Sequence, residues 1–376
     1  MEHYFDNAAT TKPCAEAAAA VMSCISTHYG NPSSLHRKGL EAQHEMEFAR
    51  QQIAAALGCK AQEILFTSGA TESTNLALRG AAAAYGRKRK KIIVSAVEHA
   101  SVKETMAYLE TQGFQVVAVP PDKNGIYHAA DFLKEVDAET CLISMMLVNN
   151  ENGARLPAEE VFRSAKRRDP EIITHCDAVQ GFLKIPMKTR TLGADLISLS
   201  GHKVHALKGA GALYVRQGVR LRPVLYGSHQ EKGLRPGTES VPLIAAFGAA
   251  AGALFPTIEQ RYQKVSQLRE ALIQGLEKMD GVIIRDIPGA SPYVLNISLL
   301  GYRSEIVLHY LEQREIYISS GSACSKGASS GVLELFGAKP EEVDSALRIS
   351  FCAENTEEDV AALLQGLQDA QRELMH

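Results

Sequence analysis

The chain has 376 residues, of which 45% are hydrophobic and 22% are charged, and its formal net charge is −3. This composition is that of an ordinary globular protein, and the length allows two domains. The near-neutral charge gives no electrostatic basis for binding nucleic acid or a membrane surface, so we expect neither as a partner.

The N-terminal residues and the cysteines indicate a compartment. The segment from Met1 to Asp6 lacks the basic start and apolar stretch of a secretory signal, and no apolar run is predicted to reach membrane-spanning length. The seven cysteines are scattered and include no CxxC pair. That pattern is not typical of a disulfide framework or a zinc site, so we expect no metal and a cytoplasmic protein.

Helical patterns alternate with strand-like apolar runs through the first two thirds of the chain. The predicted helices are Ala70–Ala84, Val102–Thr111, Ala129–Val136 and Ala158–Arg168. The predicted strands are Ile92–Val97, Gln115–Val119, Cys141–Val148, Ile172–Cys176, Leu196–Leu199 and Gly211–Val215. This alternation predicts an α/β fold with a mostly parallel sheet that is covered by helices on both faces.

A second pattern begins after Pro256. A long amphipathic helix, Thr257–Met279, is predicted to lead into shorter units. These units are Val282–Arg285, Val294–Leu299, Glu305–Gln313, Ile316–Ser319, Ala346–Phe351 and a final helix, Thr356–Leu374. We therefore predict a large domain of residues 16–255 and a smaller α+β domain that combines residues 1–15 with residues 256–376.

Polar residues recur where the predicted strands of the large domain end. The groups are Glu98-His99, Asn149-Asn150, Asp177 with Gln180, and Ser200-Gly201-His202-Lys203. Each group alone is more typical of a turn or a helix cap. Because ligands bind at the carboxyl ends of parallel strands, the four groups together predict one binding crevice.

One cofactor chemistry would use all four groups. A lysine is costly to bury unless it is paired or covalently used, and Lys203 directly follows an apolar strand. A pyridoxal cofactor needs a lysine for its aldehyde and a carboxylate, here Asp177, that keeps its ring nitrogen protonated. His99 could lie over the ring, while Asn150 and Gln180 could bind its hydroxyl.

A phosphate site is predicted at a turn that opens a helix. The segment Ser68-Gly69-Ala70-Thr71-Glu72-Ser73 consists of small and polar residues. Free N–H groups and the helix dipole favour an anion there. Many helices begin with such a turn, so the segment alone is a weak signal.

Motifs along nearly the whole chain resemble those of one enzyme family. They are Phe5-Asp6-Asn7-Ala8-Ala9-Thr10-Thr11, Gly30-Asn31-Pro32-Ser33-Ser34-Leu35-His36, Thr67-Ser68-Gly69-Ala70-Thr71-Glu72-Ser73, Glu98-His99, Val148-Asn149-Asn150-Glu151, Asp177-Ala178-Val179-Gln180, Leu199-Ser200-Gly201-His202-Lys203 and Ser319-Ser320-Gly321-Ser322-Ala323-Cys324. In this order they resemble the cysteine desulfurases of the NifS/IscS type, which belong to the class V group of fold-type I pyridoxal-phosphate enzymes.

The resemblance implies a role for each matching residue. Lys203 would be the Schiff-base lysine, Asp177 the partner of the ring nitrogen and His99 the stacking and proton-transfer residue. The remaining cofactor contacts would come from Ala70, Thr71, Asn150, Gln180, Ser200 and His202. Arg348, on an otherwise apolar strand, would bind the substrate carboxylate together with Asn150.

Cys324 distinguishes desulfuration from the other reactions of pyridoxal enzymes. It lies in a segment rich in glycine and serine, which predicts a mobile loop, and Lys326 would favour its thiolate. By resemblance, this thiolate takes the sulfur of L-cysteine as a persulfide and leaves L-alanine. The sulfur would pass to an acceptor protein, which could be an iron–sulfur scaffold, a tRNA-thiolation protein or a cofactor-biosynthesis protein.

The segment from Gly227 to Thr238 resembles one that the family uses across a dimer interface. The resemblance implies a homodimer in which Thr238 reaches the phosphate site of the neighbouring subunit. Lys232 and Pro236 depart from the family pattern, and Lys232 keeps the charge without the guanidinium fork. Cys352 stands where a glycine is more usual; we interpret it as a small buried residue rather than as a second thiol near the site.

Other functions remain open at this point. A selenocysteine lyase would share the fold and cofactor, and a class V aminotransferase would release a keto acid instead of alanine. A scaffold that binds sulfur-acceptor proteins without catalysis is a third alternative, against which the complete set of cofactor residues argues.

Overall fold

A seven-stranded sheet organises the first two thirds of the chain in the computed structural model, which describes residues 1–321 and 331–374. In chain order the strands are β1 (His3–Tyr4), β2 (Ile64–Thr67), β3 (Lys91–Ser95), β4 (Gln115–Val119), β5 (Thr140–Met146), β6 (Ile173–Asp177), β7 (Leu196–Ser200), β8 (Gly211–Val215), β9 (Val282–Arg285), β10 (Val294–Leu299), β11 (Ile316–Tyr317), β12 (Ser319–Ser320) and β13 (Ala346–Ser350).

Helices cover the sheet and fill the rest of the fold. They are α1 (Ala15–Ser26), α2 (Arg37–Leu57), α3 (Ala70–Tyr85), α4 (Ala100–Thr111), α5 (Ala129–Leu133), α6 (Ala158–Arg168), α7 (Thr189–Leu192), α8 (Val241–Leu254), α9 (Ile258–Leu276), α10 (Ser304–Glu312), α11 (Val332–Leu335), α12 (Pro340–Asp344) and α13 (Glu357–Glu373). Short 3₁₀ turns occupy Ala61–Glu63, Gly201–Lys203, Gln230–Gly233 and Phe255–Thr257.

The large sheet has the strand order β2-β8-β7-β6-β5-β3-β4. Its neighbouring strands are parallel except at β8, which runs antiparallel to both β2 and β7. The predicted α/β fold with a mostly parallel sheet is confirmed. β2 was not predicted from the sequence, because its three apolar residues and one threonine give too little periodicity to mark a strand.

The central strands are buried on both faces, so they appear in the sequence as continuous apolar runs. The sheet register aligns Met146 with Asp177 and Asp177 with Ser198. The carboxyl ends of β5, β6 and β7 therefore meet at one edge, which positions the residues that follow each strand.

A separate hydrophobic cluster holds both ends of the chain together. Phe5 packs in this cluster with side chains from α9, β10, β13 and α13. The four-stranded antiparallel sheet there has the order β12-β13-β10-β9, and β1 pairs with β11. The prediction of a single strand at Ile316–Ser319 is wrong. This part of the chain forms two short strands, β11 and β12, which belong to different sheets. The domain boundaries at residues 15/16 and 255/256 stay a prediction.

The helical run Val241–Leu276 corrects one expectation. By length and composition it could cross a membrane, contrary to the prediction that no apolar run reaches that size. Half of its most apolar window is buried within the protein, and α8 packs against α1 and α2. The buried core helices of globular proteins can have the same length and apolar composition, so this run is weak evidence for a membrane location.

Candidate active site

A cavity of about 930 Å³ opens at the carboxyl edge of the large sheet. Ten of the predicted site residues line it: Ala70, Thr71, His99, Asn150, Asp177, Gln180, Ser200, His202, Lys203 and Arg348. Thr238 is exposed and is not among the lining residues, while Cys324 and Lys326 lie outside the described residues. Residues that are more than 250 positions apart in sequence thus share one concave site.

Lys203 ends the 3₁₀ turn that follows β7. Its Nζ donates to the carbonyl oxygens of Ala8 at 2.7 Å and Ala9 at 2.6 Å. Burial lowers the pKa of Lys203 to about 8, and the positive charge of Arg348 acts in the same direction. An amine with this pKa is partly neutral near pH 7, as a nucleophile or a base requires.

Asp177 is the last residue of β6, and its side chain is buried. Its Oδ1 accepts a hydrogen bond from the backbone N–H of Val179 at 3.0 Å. Burial raises the pKa of Asp177, whereas the charges of His99 and Lys203 oppose that rise. The carboxylate lacks an ion-pair partner among the described residues, so its charge can act on a cationic ligand in the cavity.

Glu98 is a second buried carboxyl group at the same edge. Its Oε1 accepts hydrogen bonds from the Met146 N–H at 2.6 Å and from the Ser95 hydroxyl, and its Oε2 has no partner in the described chain. Burial, with a further contribution from the charge of Asp177, raises the pKa of Glu98 to about 8. The sequence placed Glu98 at the site but gave it no role. Its position directly after an apolar strand is the signal that could have indicated a buried carboxyl group.

His99 begins α4 as its N-cap residue. Its Nδ1 accepts a hydrogen bond from the backbone N–H of Ser101 at 3.1 Å. In the neutral ring the proton therefore lies on Nε2. The side chain is exposed at the mouth of the cavity, where a flat ligand can lie against its ring.

The predicted phosphate turn packs closely on the sheet. A Cβ at Gly211 would lie 2.5 Å from the Cα of Gly69, so only glycine permits this approach of β8 to the turn. Beyond the turn, the first N–H groups of α3 lack intrahelical partners and favour an anion. Ala70 and Thr71 begin this helix and line the cavity together with Ser200.

His202 lies beside the same part of the cavity. Its Nδ1 is 3.3 Å from the Thr10 hydroxyl, and its carbonyl oxygen accepts from the Thr11 N–H. Burial, with the positive charge of Lys203 next, lowers the pKa of His202 to about 4. The ring is therefore neutral and can donate one hydrogen bond to a phosphate oxygen.

Gln180 connects the cavity to a buried lysine that sequence reasoning missed. Its Nε2 donates to the Ala8 carbonyl at 2.9 Å, and its Oε1 accepts from Lys184 Nζ at 2.8 Å. Burial, followed by repulsion from Lys203, lowers the pKa of Lys184 to about 7. The only sequence signal for this contact is the spacing of four residues between Gln180 and Lys184.

Arg348 reaches the cavity from β13 of the antiparallel sheet. Its Nη2 lies 3.0 Å from Asp6 Oδ1, and its Nη1 donates to the Asn150 carbonyl at 3.3 Å. Its buried Nε has no partner in the described chain. A guanidinium with an unused donor in a cavity suits a ligand carboxylate.

The donor set fits pyridoxal 5′-phosphate. An amine of lowered pKa, a buried carboxylate, a flat imidazole and a helix N-terminus line the same cavity. The Arg348 Nε, which has no partner among the described residues, remains for a second ligand with a carboxylate. Each of these groups corresponds to one part of the cofactor or of an amino-acid substrate.

The segment that carries Thr238 is fixed at its base. Glu231 accepts from Arg50 Nη2 at 2.8 Å and Nη1 at 3.0 Å, and both side chains are buried. Lys232 stands where the family pattern has an arginine. It donates to the carbonyl of Gln62, so the lysine also anchors the segment. Pro236 packs against Gly227, where a Cβ would lie 2.7 Å from the proline ring.

Comparison with known proteins gives a consistent result. The aminotransferase class-V family matches residues 3–363. The cysteine desulfurase IscS of Methanosarcina thermophila is 39% identical over 365 residues, which cover 96% of this chain and 90% of that protein.

Solved structures agree with these sequence relatives. A NifS-like protein superposes with a TM-score of 0.94 at 36% identity, over 100% of both chains. A structure described as SspA in complex with cysteine has a TM-score of 0.83 at 31% identity and covers 95% of this chain and 100% of that one.

The raised pKa of Glu98 predicts a specific dependence of stability on pH. The ordinary pKa of a glutamate is 4.5, and that of Glu98 is about 8, so between these values the folded state holds a proton that the unfolded state releases. The free energy of unfolding should therefore fall as the pH rises, by about 1.4 kcal/mol per pH unit from this group alone.

Glu98→Gln resembles the protonated side chain and should remove this contribution. Urea unfolding of the wild type and the variant between pH 5 and pH 8 measures the difference in slope. The control is Glu110→Gln, which removes the same charge from an exposed position on α4 and should keep the wild-type slope. Parallel curves for Glu98→Gln and the wild type would contradict the assignment.

Proposed function

The chain belongs to the aminotransferase class-V family and is a pyridoxal-phosphate-dependent cysteine desulfurase acting on L-cysteine, and on that premise we propose how its residues divide the reaction. The observation that carries the proposal is the meeting of ten predicted residues around one cavity, although they come from distant parts of the chain.

Lys203 and Asp177 would carry the chemistry at the cofactor. When bound, pyridoxal phosphate supplies an electron sink for the charge that develops at the substrate Cα. Asp177 would stabilise a positive charge on the ring nitrogen, because its carboxylate is buried at the edge of the cavity. Lys203 would hold the cofactor through its aldehyde and would accept the substrate Cα proton, for which its pKa of about 8 is suitable.

His99, Thr71 and Arg348 would position the ligands. His99 would lie against the cofactor ring and would assist proton transfer through its Nε2, while Thr71, at the start of α3, would bind the phosphate. Arg348 exchanges its contact with Asp6 for the substrate carboxylate, since Asp6 is the more exposed partner of that ion pair. The cofactor contacts of Ala70, Asn150, Gln180, Ser200 and His202 complete the proposed site.

Cys324 would accept the sulfur. Its thiolate attacks the sulfur of the substrate, the C–S bond breaks, and the electron pair stays with the substrate carbon, which a proton then converts to L-alanine. The new S–S bond leaves a persulfide on Cys324. The net reaction consumes L-cysteine and one thiol and produces L-alanine and one persulfide, so it needs no external oxidant.

A homodimer with shared sites is part of the proposal. Thr238 does not line the cavity of its own subunit, although the buried Arg50–Glu231 pair anchors its loop. Large apolar side chains are exposed near this region and on α1, where burial in a partner would be favourable. They are Met22, Ile25, Tyr29, Leu35 and Tyr226. Thr238 would therefore donate to the phosphate in the neighbouring subunit.

The fate of the sulfur is also proposed. A persulfide is consumed by a nucleophilic thiol, so the acceptor would be a thiol-bearing protein in iron–sulfur cluster assembly or in a thiolation pathway. Six described cysteines are free, which is consistent with the proposed cytoplasmic location.

Replacement of the acceptor thiol tests the proposed reaction. Cys324→Ser should abolish alanine and sulfide formation from L-cysteine, while the absorbance of bound cofactor persists. Cys59→Ser removes a half-buried thiol whose pKa burial raises to about 12, and it should keep wild-type turnover. Undiminished alanine formation by Cys324→Ser would contradict the proposal, and a keto-acid product would indicate an aminotransferase.

Hybrid dimers test the shared site. Thr238→Ala should weaken cofactor binding about tenfold or more, as expected for the loss of a hydrogen bond to a charged group. A hybrid of one Lys203→Ala subunit and one Thr238→Ala subunit, purified with two affinity tags, contains one complete site. We expect it to show half the wild-type activity at a cofactor concentration that leaves the Thr238→Ala homodimer inactive.

The control for this experiment is Ser240→Ala, an exposed neighbour that should bind cofactor normally as a homodimer. A hybrid no more active than the mean of its two parent homodimers would show that Thr238 serves its own subunit or neither.

A further inference from the structure

Three potential metal ligands meet outside the cavity, two residues beyond Lys203. A ring nitrogen of His205, the Sγ of Cys352 and a carboxylate oxygen of Glu354 all lie within 4.8 Å of one another. None of the three lines the cavity described above. The interpretation of Cys352 as merely a small buried residue is therefore incomplete, since its side chain is only half-buried and faces two other ligand atoms.

His205 is oriented as a metal-binding histidine requires. Its Nδ1 lies 2.9 Å from the carbonyl oxygen of Lys12, which can only accept, so Nδ1 carries the proton. The lone pair of the neutral ring is then on Nε2, which is 3.5 Å from Glu354 Oε2. Metal-binding histidines commonly donate their second N–H to a carbonyl in this way.

The backbone holds this orientation at a conformational cost. His205 has a φ of 58°, in the left-handed region that few residues other than glycine adopt. Its N–H donates to the Thr11 hydroxyl at 2.7 Å, and the Cys14 N–H donates to its carbonyl. These contacts fix the imidazole towards Cys352 and Glu354.

Cys352 and Glu354 follow β13 and leave the cluster open to solvent. The Cys352 Sγ lies within 4.8 Å of a Glu354 carboxylate oxygen, and the Cys352 N–H donates to Asn355 Oδ1 at 2.9 Å. The Glu354 side chain is 56% exposed, so an ion has a path to the site.

Tyr293 is a buried polar residue in the electrostatic neighbourhood of this cluster. Its side chain is 96% buried, since only 4% of its surface is exposed, and its hydroxyl has no partner in the described chain. Burial raises the pKa of this hydroxyl, and the charges of Arg261, Glu354 and Cys352 also act on it. A buried hydroxyl without a partner in the described chain is costly, and an ordered water would satisfy it.

We propose that His205, Cys352 and Glu354 bind one zinc ion, with water as the fourth ligand. A nitrogen, a thiolate and a carboxylate are the ligand types that zinc takes in a tetrahedral site. Binding releases the thiol proton of Cys352 to solvent as the Zn–S bond forms. The ion, the thiolate and the carboxylate sum to zero charge, so the site does not repel the neighbouring Arg261.

In the structure, the Arg261 guanidinium contacts two of the three proposed ligands, Glu354 and His205. Its Nη1 and Nη2 lie 2.8 and 3.1 Å from the two oxygens of Glu354, and Nη2 is also 3.3 Å from His205 Nε2. Zinc would displace Nη2 from the ring nitrogen, while Nη1 keeps one carboxylate oxygen.

The proposed ion would join the two sheets. His205 follows β7 of the large sheet, whereas Cys352 and Glu354 follow β13 of the antiparallel sheet. The Zn²⁺ would thus hold the loop of Lys203 against the strand of Arg348. This inference does not rest on the proposed role of Cys324 or on desulfurase activity.

Zinc titration of the chelator-treated holoenzyme tests the proposal. We expect one zinc per chain by elemental analysis after desalting, and a rise in the unfolding temperature. Cobalt(II) in the same site should give the ligand-field bands of a tetrahedral thiolate complex. Cys352→Ser and His205→Gln should each weaken zinc binding about 100-fold or more, since even outer-shell changes cost 10- to 100-fold.

Two thiol controls locate the metal. Cys59→Ser and Cys324→Ser should retain both the zinc stoichiometry and the cobalt spectrum. Failure to bind zinc, loss of zinc in Cys324→Ser alone, or retention of wild-type affinity in both Cys352→Ser and His205→Gln would overturn the proposal. Because the readouts are stoichiometry, a cobalt spectrum and the unfolding temperature, they are independent of whether the enzyme desulfurates cysteine.

Discussion

The burial of ionisable groups at one edge of a parallel sheet is the constraint on which this site depends. Lys203, Asp177, Glu98 and Lys184 are all mostly removed from water, and burial is the largest influence on the pKa of each. Burial brings the pKa values of two amines, Lys184 and Lys203, and of one carboxylic acid, Glu98, close to neutral pH. A cofactor that carries its own charges can use such a site because the cost of desolvation has already been met by the fold.

The N-terminal segment links this edge to the second sheet. The carbonyls of Ala8 and Ala9 hold the amine of Lys203, and Asp6 pairs with Arg348. Asn7 donates to the Ser350 carbonyl, so the segment is attached to β13. The same short stretch of chain therefore positions both the proposed cofactor residue Lys203 and the proposed substrate residue Arg348.

The sequence was sufficient to predict features that depend on local pattern. Alternating apolar runs predicted the parallel strands, and polar residues after each run predicted the edge that forms the cavity. The family resemblance supplied the roles that spacing could not. In contrast, the contact between Gln180 and Lys184 depends on a turn after β6, and β2 is too short to be recognised from periodicity.

Contacts between distant segments were beyond sequence reasoning for a physical reason. His205 and Cys352 are separated by more than 140 positions, and their side chains come together only in the folded chain. Cys324 shows the opposite case. The glycine- and serine-rich segment around it and the family resemblance predict its function, but Cys324 lies outside the residues that the structure describes.

The central claim is that Lys203, rather than another lysine near the cavity, holds the cofactor aldehyde. Borohydride reduction of the holoenzyme followed by peptide mass spectrometry tests it directly, because reduction makes the attachment permanent. We predict the reduced cofactor on Lys203 alone. Attachment to Lys184, which is buried with a pKa of about 7, or to Lys208, which also lines the cavity, would contradict the account.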